Sequence, residues 1–217
     1  MPMPKCYMAG TVEALYYLNE EEAGLKLATS FPSYARPGEM ETLFAEDIIP
    51  TIGQEFHHTA VVIRPFERGA PTKVGEYDDT VPMDTVGMEF LGQMLENLAA
   101  AKQPGEKLFR QSQEQHARVL GRGFRAVGLK GQVPYGPRHG GAAHDRLRRH
   151  RSMPEIKKRG RWKHDKSVVR YERAGRIQQV IERTDRAARD YCKFAEQHLE
   201  SIMMRGRAPR RPPYLGA

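Results

Sequence analysis

A single β-branched, aromatic run, FHHTAVVIRPF at 56–66, stands in a chain whose other apolar residues mostly recur at helical intervals. A strand cannot satisfy its backbone alone, so this run needs a partner, and the nearest one is KVGEYDDTVPM at 73–83 across the turn ERGAPTK. The two segments predict an antiparallel hairpin in an otherwise helical protein. The expected class is therefore α+β, mostly helical, with a small antiparallel β-sheet.

The helical segments follow from periodicity and end signals. A helix is expected over 11–29, with Gly24 as a point where it splits and Pro32 as its end. Pro37 suits the first turn of a short helix after Arg36, and Glu39 and Glu41 suit its positive end. Asp84 reads as the N-cap of a helix through 85–101, on a face carrying Val86, Phe90, Leu91, Met94, Leu95 and Leu98. Ser112 caps a helix over 113–127. Another helix starts at Arg138 and runs to about His150. Ser152 and Glu155 have capping-box spacing, and a short helix from Asp165 carries Tyr171. A long charged helix is expected over 176–204, followed by a basic, proline-rich tail, 205–217, expected to be disordered. No repeat or internal boundary divides the chain, so 1–204 reads as one domain.

Charge is unevenly distributed. Residues 1–134 hold 13 Lys/Arg against 18 Asp/Glu, a net of −5, whereas 135–217 hold 22 against 9, a net of +13, so the whole excess behind the net +8 lies in the second part. Such a basic half suits a polyanion, of which nucleic acid is the commonest. No apolar run approaches the roughly 20 residues of a membrane span, and MPMPKCYMAG lacks signal-peptide form. These features predict an intracellular protein that works with DNA (nuclear if the source is eukaryotic) and no membrane partner. Cys6 and Cys192 have neither ligand nor redox spacing and read as reduced thiols. His57, His58, His139 and His144 match no known metal spacing, so neither a metal nor a cofactor is expected.

The stretch Tyr135 to Tyr171 joins cations, short apolar steps and a terminal phenol. Arginine forks bind phosphate oxygens in pairs and stay charged, a lysine can protonate a departing oxygen, and a tyrosine can attack phosphorus once its charge is offset. Taken singly, each such residue is more often a surface ion pair, half-buried packing or a solvated cation.

Their order resembles the catalytic domain of the tyrosine recombinase, or phage integrase, family over roughly residues 30–175. YARPGE supplies Arg36 and Glu39; the hairpin turn supplies Lys73; Tyr135-Gly-Pro-Arg138 stands where the family has a histidine-x-x-arginine box; Gly160-Arg-Trp162 precedes Tyr171 by nine residues. The departure at Tyr135 replaces a proton shuttle with a hydrogen-bond donor. The resemblance implies a recombinase-like fold and a set of roles. Arg36 and Arg138 clamp the scissile phosphate, Trp162 and Tyr135 add hydrogen bonds, Tyr171 attacks to form a 3′-phosphotyrosyl link, and Lys73 protonates the leaving 5′ oxygen. Glu39 braces Arg36, and His139 supports the site.

Lys157, Lys158, Arg159, Arg161 and Lys163 are expected phosphate contacts, with a solvated face as the alternative. The partner implied is double-stranded DNA. The C-terminal helix is expected to dock either on a second copy, giving a homo-oligomer on DNA, or on its own domain. The family's amino-terminal clamp domain has no counterpart before Arg36, which is expected to impair affinity and site selection. Two further readings stay open: a DNA-binding relic without activity, and a type IB topoisomerase-like relaxing enzyme.

Overall fold

The computed structural model describes residues 2–63, 68–69, 79–169 and 174–216. At its centre lies α1 (Lys5–Tyr17), buried along nearly its whole length. A helix apolar on every side must be surrounded. Here α2 (Glu21–Ser33), α5 (Gln113–Val127), α6 (Gly136–Arg148), α10 (Arg186–Gln197) and α11 (Leu199–Met203) all pack against it. Met8, Val12, Leu15, Leu27, Phe31, Leu120, Phe124 and Cys192 build the shared core. Alongside lie α4 (Phe90–Ala100) and a sheet of three antiparallel strands, β1 (Ile48–Ile49), β2 (Ala60–Ile63) and β3 (Asp79–Pro82), in that order. Val61 pairs with Ile48 on one side and Val81 on the other, and Ile63 pairs with Asp79. Val61, Ile63 and Val81 turn inward at alternate positions. The protein is thus α+β and mostly helical, with a small antiparallel sheet. Among the described residues no helix is long and apolar enough to cross a membrane.

Several expected boundaries move, each for a tertiary reason. The 11–29 segment is two helices, divided at Leu18–Glu20 where Asn19 takes a left-handed conformation with φ 58°. Gly24 is no break: a Cβ there would lie 2.8 Å from the Tyr16 ring, so the glycine lets α1 and α2 approach. Nor does Pro32 end α2, which continues to Ser33 and closes on left-handed Tyr34. Asp84 caps nothing. Helix α4 starts six residues later, Val86 is 63% exposed, and Asp84 instead pairs with Arg151 and Arg159.

The long C-terminal helix is three: α9 (Ala174–Glu182), α10 and α11. Asp185 interrupts it by accepting from the N–H groups of Ala187 and Ala188, a new N-cap. These helices dock on their own chain, α10 lying along α1. The tail is ordered rather than disordered. Arg210 pairs with buried Glu13, the Tyr214 N–H reaches the Ala126 carbonyl at 2.8 Å, and the Tyr214 hydroxyl reaches Asp185 at 2.5 Å.

Candidate functional site: a buried arginine nest

Helices α2 and α6 meet so closely that backbone touches backbone. A Cβ on Gly140 or Gly141 would run into the Met3 or Phe31 carbonyl, so two glycines near the start of α6 let it press on the end of α2. Arg138, one turn into α6, is thereby driven under Tyr34. It is fully buried. Its guanidinium donates to the Tyr34 and Gly160 carbonyls and stacks 4.6 Å from the Trp162 ring centre. Tyr34, Ala142, Ala143, Ile156 and Val168 form an apolar floor, with Trp162 packed against it.

Arg36 arrives from the other side as the N-cap of α3 (Pro37–Glu41). The Glu39 carboxylate folds back to accept from the Arg36 backbone N–H at 2.6 Å and from its guanidinium. Glu39 thus binds both the backbone and the side chain of Arg36. A third guanidinium, not anticipated there, completes the group. Arg161 donates to Glu39 and to the Tyr34 carbonyl, each at 3.1 Å, and to Asp79 of β3 at 2.9 Å. It sits at φ 51°, the left-handed region that glycine usually takes, and its side chain is wholly buried.

Among the described residues, three guanidinium groups thus face two carboxylates, Glu39 and Asp79, leaving one positive charge in excess. The titration behaviour reflects this imbalance. Burial, then the neighbouring charges of Arg36 and Arg161, push Arg138 down to about 10. Burial alone would raise the Glu39 carboxyl. The Arg161 charge, the Arg36 N–H and the charges of Arg36 and Arg138 instead hold it below its ordinary range. Among the described residues the Nε atoms of Arg138 and Arg161 are buried with no hydrogen-bond partner. Desolvated cations in excess with unused donors form an arrangement that an anion would complete.

The other expected site residues divide. Trp162 lies in the nest, and Gly160 must lack a side chain because a Cβ there would collide with the indole. Tyr135 stands at the rim, 37% exposed, its ring 4.9 Å from that of His139 and its phenol close enough to affect Arg138. Lys73 and Tyr171 lie outside the described residues. Arg159 and Arg161 are not outward-facing phosphate contacts. Arg159 is buried, donating to the Pro32 and Pro82 carbonyls at 2.6 and 2.7 Å and pairing with Asp84 at 3.0 Å. Lys157 pairs with Asp165 at 2.6 Å, while Lys158 and Lys163 are exposed.

Sequence reasoning missed Tyr34 and Asp145. The Tyr34 hydroxyl donates to the Asp145 carboxylate, which Arg151 also binds, so one residue ties its carbonyl to the nest and its ring to a second ionic network. The only local signal was Tyr34 lying two residues before Arg36. No known family model matches the chain, and no curated protein matches it either.

Proposed function

We propose that this chain is a tyrosine recombinase- or integrase-like catalytic domain that breaks and rejoins double-stranded DNA. The observation that carries the reading is the convergence of Arg36 and Arg138, about a hundred residues apart, on one buried group with Trp162 beside it and positive charge to spare. The order of elements supports it too: an arginine before a short helix, three antiparallel strands with a lysine between the second and third, then a helix bearing the second arginine.

In this mechanism Arg36 and Arg138 hold the non-bridging oxygens of one backbone phosphate and offset the charge that builds in the transition state. The Trp162 Nε1–H and the Tyr135 hydroxyl add donors. The Tyr171 hydroxyl releases its proton to solvent as its oxygen bonds to phosphorus and the P–O5′ bond breaks, and Lys73 gives the leaving 5′ oxygen a proton. Bond energy is kept in the 3′-phosphotyrosyl link, so rejoining consumes no nucleotide. Glu39, itself held by Arg161, keeps Arg36 in place without touching DNA. In the free chain Arg138 spends two of its five donors on carbonyls and is covered, so DNA must open the nest to engage it.

That same burial favours a second reading, a DNA-binding relic whose clamp no longer opens. A duplex nicked so that cleavage releases a short strand separates the two. The enzyme gives a denaturant-resistant protein–DNA species that Tyr171→Phe abolishes. A salt-sensitive mobility shift with no covalent species supports the relic, and neither result leaves no support for DNA chemistry.

A further inference from the structure

Beside the nest, at the C-terminal end of α6, three ligand-type side chains converge. Arg149 takes a left-handed conformation with φ 56°, and the chain reverses so that the His150 N–H reaches the Asp145 carbonyl at 2.9 Å. The turn brings His150 Nδ1 to 3.6 Å from Asp145 Oδ1, and the His144 and His150 rings meet edge to face with centres 5.7 Å apart. One donor atom from each of His144, Asp145 and His150 lies within 4.8 Å of the other two. We propose that His144, Asp145 and His150 form a binding site for a zinc-type divalent transition-metal cation.

The donor set fits that class. Imidazole and a single carboxylate suit zinc, nickel or copper, whereas calcium and magnesium ask for oxygen ligands. A tetrahedral zinc with bonds of about 2.0–2.2 Å spaces its ligand atoms by roughly 3.3–3.6 Å, so modest side-chain rotation closes the observed triangle. The carboxylate is already oriented. The Tyr34 hydroxyl and Arg151 both bind its Oδ2, while Oδ1 faces His150, which is the job of an outer shell around a metal ligand.

Lys5, Arg148 and Arg151 lie near this site and oppose a cation. Arg151 is offset by Asp84 and Asp145, so Lys5 and Arg148 are the cations a bound ion would have to outweigh. A bound ion would be structural. It would fix Asp145, which holds Tyr34, whose carbonyl receives both Arg138 and Arg161.

The test is titration of the metal-stripped full chain with Co²⁺, read by visible absorbance, followed by displacement with Zn²⁺. The expected result is one tightly bound equivalent with tetrahedral bands, weakened at least tenfold in His150→Ala and His144→Gln and unchanged in a His57→Ala/His58→Ala variant. Thermal melts without metal check that each variant folds. If the His144 variant does not fold, His150→Ala decides, because His150 is exposed just beyond the end of α6. Absence of a tight equivalent, or an equivalent that survives His150→Ala unweakened, overturns the proposal.

Discussion

Two arginine sites lie on different parts of this molecule, and their bookkeeping differs. At the tail, Arg210 meets Glu13 with its backbone N–H, Nε and one terminal nitrogen, all at 2.9 Å. That terminal nitrogen also donates to the Tyr191 carbonyl at 2.7 Å, and the Phe194 ring centre is 3.7 Å away. One cation meets one anion and an aromatic face. In the nest, Arg36, Arg138 and Arg161 share Glu39 and Asp79, and two Nε donors have no partner among the described residues. The first arrangement is complete within the chain, as a structural latch should be. The second is not, and excess buried charge with idle donors is what a site awaiting an anion requires.

Removing one partner tests the latch hardest. Arg210→Ala strands a buried Glu13 carboxylate and is expected to cost about 3 kcal/mol, toward the low end for a broken buried pair because the guanidinium is partly exposed. Denaturant unfolding measures it, and a loss under about 1 kcal/mol would erase the contrast.

Glu39→Gln takes one of two carboxylates from three guanidiniums and should cost about 2–3 kcal/mol at pH 7. The pH dependence has a definite sign. Glu39 is lowered from 4.5, so its stabilisation is fully present above that value and fades as pH falls through the lower folded value. The gap between wild type and Glu39→Gln should therefore shrink below about pH 4.5; a gap that widens in acid would reverse the assignment.

Gly160→Ala puts a methyl group into the Trp162 ring. About 2 kcal/mol of overpacking is expected, with a shift in tryptophan fluorescence as the only indole leaves Arg138. Smallest of all should be Arg138→Met. Loss of two hydrogen bonds to carbonyls is set against relief of cation–cation repulsion, so the net change is expected within about 1 kcal/mol. A cost matching Arg210→Ala would mean the nest is structural like the tail.

Local signals were legible in the sequence wherever a few neighbouring residues decide the outcome. Ser112 with Gln115 and Ser152 with Glu155 form their capping boxes, and the 113–127 helix has the expected bounds. Arg36, Glu39, Arg138 and Trp162 could be named because their spacing resembles a known pattern. What stayed hidden depends on distant partners. Nothing local tells that Arg159 and Arg161 turn inward, since a basic run normally faces water and only carbonyls and carboxylates from α2, α3 and β3 reverse that. Nor does RAPRRPPY look ordered until Glu13, Tyr191 and Asp185 are arranged to receive it.

The most direct test of the central claim compares two losses in one variant. For Arg138→Ala, cleavage of the nicked duplex and affinity for the intact duplex are measured side by side at fixed salt. An arginine that grips a phosphate mainly in the transition state should lose at least a hundredfold in cleavage and less than tenfold in binding. Equal losses in both, or none in either, would contradict it.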